Sequence, residues 1–178
     1  MFESISQTLA VGLIGSLLLV IGAAWPAEKV DHPIYSKKDW LFATGGILML
    51  VYSLMNYFEG GSIFFVFLQA LVNIASILMM LNTPDKVDVP VLSTAALALV
   101  IWSLYLFEGV DTIFFILGLL GIALGYAFEN GSVRRDMSLT IGSFLIAGFS
   151  YMAMDWVFFG LNIAFGMFSA YYLFRRWV

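Results

Sequence analysis

Cysteine is absent from the chain, and His32 is its single histidine. These gaps exclude disulfide frameworks, thiolate catalysis and cysteine-based metal sites, and they leave no cluster with metal-ligand spacing. No metal or other cofactor is expected. Charge is scarce as well: 11% of the 178 residues are charged and 62% are hydrophobic, against about 25% and roughly 45–50% in an ordinary soluble domain. A soluble fold of this length needs polar side chains to cover its surface. The eight basic residues form no stripe, so nucleic-acid binding is not expected.

What is present is a series of uncharged apolar stretches, each as long as a bilayer core of roughly 30 Å requires of a helix. They place spans at 7–24, 40–57, 62–82, 91–107, 112–128, 137–154 and 156–174. Stretches such as 13–21 and 95–101 lack the alternation of barrel strands, so the expected fold class is an all-α membrane protein with seven transmembrane helices, residues 1–178 forming one transmembrane domain. The last boundary rests on Asp155 alone. Without a turn near Met154, Asp155 and Trp156, one helix over 137–174 would run about 57 Å, far beyond the bilayer. Met1–Ser6 carries Glu3 and no positive n-region, so the first stretch reads as a retained helix rather than a secretory signal.

Seven spans put Lys29, Lys37, Lys38, Lys86, Arg134, Arg135, Arg175 and Arg176 on one side, which is every basic residue of the chain. The other side holds Glu3, Glu59, Glu108, Asp111 and Asp155. The positive-inside rule then sets the N-terminus outside and the C-terminus in the cytoplasm. Trp25, Trp40, Tyr57, Trp156 and Trp177 fall at span ends, where aromatic belts meet the lipid interface.

The chain also resembles itself. Lys37-Lys38-Asp39 followed by Gly45-Gly46 and Ser53 recurs as Arg134-Arg135-Asp136, Gly142-Ser143 and Ser150. Ile63-Phe64-Phe65 recurs as Val157-Phe158-Phe159, and Gly12 and Gly15 match Gly118 and Gly121. These matches make 7–82 a first three-helix repeat, 112–174 a second in the same orientation, and 91–107 a linker helix between them, a 3+1+3 parallel repeat. A second pattern, Phe58-Glu59-Gly60 with Ile63-Phe64-Phe65 against Phe107-Glu108-Gly109 with Ile113-Phe114-Phe115, suggests two-helix units instead. Both schemes pair helices of like orientation.

In this architecture, spanning residues 7 to 174, the chain resembles the superfamily that contains SWEET sugar transporters, PQ-loop proteins and PnuC-type nicotinamide riboside transporters. It departs from SWEET and PQ-loop helices in its prolines: Pro26, Pro33, Pro84 and Pro90 are expected in loops or at span ends. The nearer match is the PnuC-like branch or another bacterial one, with Trp156 and Asn162 similar to the Trp and Asn pattern of those transporters. The resemblance implies a bacterial inner-membrane carrier of a small polar solute that associates into homo-oligomers.

With no charge inside a span, a solute site there must use amides, hydroxyls and aromatic faces. Gln69 and Asn73 lie one turn apart on one face of the third span, and a buried amide is costly unless paired. They serve either as interhelical links or as hydrogen-bond partners of a solute. Asn162, in the other repeat, is expected to face them across a central site near the bilayer midplane. Tyr52, Ser53, Trp102, Ser150 and Tyr151 form a second tier, with Asn56 beside them. The serines have the competing option of bonding back to their own helix carbonyls, and Trp102 either stacks on a ring or meets lipid. Gly12, Gly15, Gly45, Gly118, Gly121 and Gly125 read as close-packing positions. Glu59, Glu108 and Asp155 begin outer turns, where they either cap the following helix or form an acidic vestibule.

These features point to a facilitative transporter of a small polar solute. The alternative is a heptahelical sensor or accessory subunit that transports nothing. A retinal protein is excluded because 156–174 has no lysine for a Schiff base. Nor is the chain expected to be an enzyme: no nucleophile with a base and no metal cluster is apparent.

Overall fold

The computed structural model describes residues 6–25, 32–129 and 131–177, without the side chains of 176 and 177. Glu3, Pro26, Lys29 and the side chains of Arg176 and Trp177 therefore lie outside the described residues. These residues hold seven α-helices, a short 3-10 turn at Pro33–Tyr35 and no strand. The helices are α1 (Gln7–Ala24), α2 (Lys37–Phe58), α3 (Phe64–Leu81), α4 (Asp85–Tyr105), α5 (Val110–Ala127), α6 (Val133–Met152) and α7 (Trp156–Trp177).

All but α6 are long and apolar enough to cross a bilayer, which supports an integral membrane protein. The sixth helix falls outside that set because Arg134, Arg135 and Asp136 open it and four hydroxyl residues follow, Ser138, Thr140, Ser143 and Ser150. Side chains such as Leu17 and Ile77 are 58% exposed, a wasteful arrangement in water and an ordinary one against lipid tails.

Serine hydroxyls set several helix starts. Ser6, Ser36 and Ser132 accept from the backbone N–H of Leu9, Asp39 and Arg135 at 3.1, 3.2 and 3.2 Å, each satisfying a donor that the first turn leaves open. These caps pull charged residues into the first turns, so α2 and α6 begin three and four residues before the uncharged stretches do. The fourth helix likewise starts at Asp85, which corrects one expectation: Pro90 lies inside α4 rather than at its end. There it forgoes one backbone bond near the helix start, a loss limited to a single position.

The chain forms two compact units, Met1–Met80 and Leu81–Val178. In the first, α1 and α2 form an antiparallel hairpin. Thr8, Gly12, Gly15, Leu19 and Gly22 make the buried stripe of α1, and small residues there let two backbones approach. A Cβ on Gly45 would stand 3.0 Å from the Gly15 carbonyl oxygen, and one on Gly12 would enter the Tyr52 ring at 2.7 Å. At the hairpin's end the Thr8 hydroxyl donates to the Glu59 carboxylate.

In the second unit α4 packs on α5, α5 on α6, and α6 on α7. The α5/α6 crossing is the tightest: a Cβ on Gly142 would lie 2.7 Å from the Ile122 nitrogen and 3.0 Å from the Gly118 carbonyl oxygen. Phe115 and Phe149 fill the layer beside it, ring centroids 5.2 Å apart. The turn between α6 and α7 occurs where expected. Met154 takes a left-handed φ of 58°, and Asp155 Oδ1 caps α7 by accepting from Phe158 N at 3.0 Å.

Candidate functional site

The amides of α3 form the polar centre of the first unit. The third helix is the most apolar span, with mean hydropathy 2.3, so each amide within it must find a partner or stay costly. Asn73 is buried and finds two: its Nδ2 donates to the Gly46 carbonyl of α2 at 3.0 Å and to the Gln69 backbone carbonyl at 2.7 Å. Both amide protons are thereby used. Asn73 reaches the α2 backbone because residue 46 is glycine: a Cβ there would stand 3.2 Å from Asn73 Oδ1.

Gln69 lies one turn earlier on the same face. Its side chain is 2% exposed, yet Oε1 has no hydrogen-bond partner. A buried acceptor in that state costs about 1–3 kcal/mol. The two amides thus differ in bonding: Asn73 Nδ2 links α3 to α2, whereas Gln69 Oε1 has no partner.

Asn162 belongs to the second unit, where it is buried on α7 and donates to the Phe158 carbonyl of its own helix at 2.8 Å. Ser53 and Ser150 are also buried, and their hydroxyls donate to Leu50 and Ile146 carbonyls at 2.8 Å each. Back-bonding of this kind spends the hydroxyl proton within the helix. Tyr52 is buried with its ring over Gly12, held as a packing surface of the hairpin. Trp102 is more than half exposed on α4. Tyr151 is equally exposed and packs edge-on to Trp156, centroids 5.8 Å apart, with Phe159 at 6.0 Å. Such a cluster suits the lipid interface.

Among the acids, Asp155 is 7% exposed and acts as a helix cap. Thr8 and Gly46 were not singled out as polar partners by sequence. The spacing Thr8-Gly12-Gly15-Leu19-Gly22 carries the signal for the first, since it sets Thr8 on the packing stripe. No such signal marks Gly46, because its part is played by a carbonyl oxygen every residue has. Among the described residues no group of three His, Cys, Asp or Glu side chains is placed to hold a metal ion. Compared with protein-family models, curated proteins and solved structures, the chain matches none.

Proposed function

We propose that the protein is a facilitative carrier for a small polar solute, with Gln69 as the principal solute contact of the first unit and Asn162 as the candidate of the second. The observation that carries this reading is the open Oε1 of Gln69, a buried acceptor within an apolar helix. A purely structural amide would be expected to pair an acceptor buried this deeply. A bound solute would repay the cost by donating to that oxygen.

The same reading places the chain in a bacterial inner membrane, N-terminus outside, with the basic helix ends in the cytoplasm. The SWEET-like 3+1+3 layout is part of the proposal. It is supported by Gly45 and Gly142, matched in the repeat, each of which packs on glycine of the preceding helix, Gly15 for the first and Gly118 with Gly121 for the second.

Purified protein in proteoliposomes, offered a panel of labelled uncharged and charged polar metabolites, tests the proposal. A carrier gives saturable uptake of at least one member above protein-free vesicles. A sensor or accessory subunit moves none.

A further inference from the structure

We infer that the Gln69 site takes an uncharged solute that carries a hydrogen-bond donor and an acceptor side by side on one edge, the arrangement of a primary amide, a lactam or an imide. The inference rests on the carrier reading and deepens it. Gln69 is 2% exposed and its Oε1 has no hydrogen-bond partner. Its Nε2–H groups make no hydrogen bond either. The bond that Gln69 does take from a side chain, Asn73 Nδ2 at 2.7 Å, goes to its backbone carbonyl and leaves the carboxamide untouched. Asn73 Nδ2 has its other bond to the Gly46 carbonyl, so it supplies no donor to Oε1.

A carboxamide holds its oxygen and its N–H groups in one plane, a donor beside an acceptor. Half a turn about the last side-chain bond exchanges the two and leaves the same pair. A solute edge with both groups forms two parallel bonds to it, as Gln does to the donor–acceptor edge of adenine. A solute that only accepts, or only donates, satisfies one atom and leaves the other buried and unpaired. A site built around a hydrogen bond discriminates against the analogue that lacks it for that reason. Charge adds nothing for either sign: α3 carries no charged residue, so a cation and an anion alike would lose hydration without a counter-charge from this helix. A neutral amide edge avoids that cost, and its bonds are stronger in low dielectric than in water.

The side-chain amide itself reports on this, independently of transport. Gln7 and Gln69 are the two glutamines of the chain, so full-length protein in detergent, isotopically labelled at the glutamine side-chain nitrogen, gives two Nε2–H pairs in nuclear magnetic resonance. Gln7→Glu removes one pair and assigns the other to Gln69 without altering the site. The probes are acetamide, which has both groups; acetone, of the same shape with a methyl in place of the amino group; and acetate and methylammonium, one ion of each sign. Acetamide is expected to shift the Gln69 pair saturably, with an affinity about tenfold above that of acetone or either ion, while the Gln7 pair shows no saturable change. A Gln69 pair that acetamide leaves unmoved, or that acetone or an ion moves with equal affinity, overturns the inference. Acetamide binding as expected, without uptake of any panel member in vesicles, supports the paired recognition and overturns the carrier reading. Saturable uptake with the Gln69 pair unmoved by acetamide overturns the inference and leaves the carrier reading standing.

Discussion

Asn73 ties α3 to α2 through a single atom pair, its Nδ2 and the Gly46 carbonyl oxygen 3.0 Å away. That bond crosses between two apolar helices and helps to fix their register. Replacing Asn73 with Leu removes it and is expected to lower stability by about 0.6–2 kcal/mol, read as a fall in the midpoint of thermal unfolding in detergent.

Glycines separate by what they face. Gly142 has the Ile122 nitrogen 2.7 Å from its Cβ position, while Gly160 has nothing within 4 Å. Backbone cannot yield as a flexible side chain can, so Gly142→Ala should cost about 1–3 kcal/mol. Gly160→Ala should be neutral or stabilising by up to about 1 kcal/mol, through helix propensity alone. Unfolding midpoints of the two variants, measured side by side, check the contrast.

Met154 holds a φ of 58° and is 69% exposed, so its side chain contributes little packing while its Cβ strains the backbone. Met154→Gly relieves that strain and is expected to stabilise the protein by about 0.5–1 kcal/mol. The same change at Asn82, φ 52°, should give less, because Asn tolerates the left-handed region. Denaturation of both variants in one detergent measures the difference.

Asp155 caps α7, and a cap needs an acceptor oxygen rather than a charge. Asp155→Ala should therefore cost about 0.5–2 kcal/mol, while Asp155→Asn should stay within a few tenths of wild type. If the acid were instead a proton relay, Asn would be as harmful to uptake as Ala. Stability and uptake of the pair distinguish these roles.

Much of the helical layout was legible from charge alone. The uncharged stretch 7–24 coincides with α1, and a single acid, Asp155, was enough to mark the last turn, since a 38-residue helix has no place in a bilayer. The helix starts were harder to read. A charge at the edge of an apolar stretch reads as loop, but Ser36 and Ser132 caps draw Lys37 and Arg134 into helices, and Ser36 three residues before Asp39 is the available signal. Pro90 misled for a similar reason, because a proline one turn and a half into a helix looks like a boundary. At the site, sequence placed Gln69 and Asn73 on one face but gave them one shared fate. Their separation depends on which amide reaches the Gly46 carbonyl, a matter of helix approach that no residue pattern encodes.

The central claim is that Gln69 contacts the solute of a carrier. It is tested most directly by initial uptake rates in proteoliposomes for wild type and Gln69→Met, with Gly160→Ala as the folding control, across the same metabolite panel. The account predicts saturable uptake by wild type and Gly160→Ala, with a loss of about tenfold or more in Gln69→Met for the same solute. Uptake unchanged in Gln69→Met, or wild-type vesicles indistinguishable from protein-free ones for every solute, would contradict it.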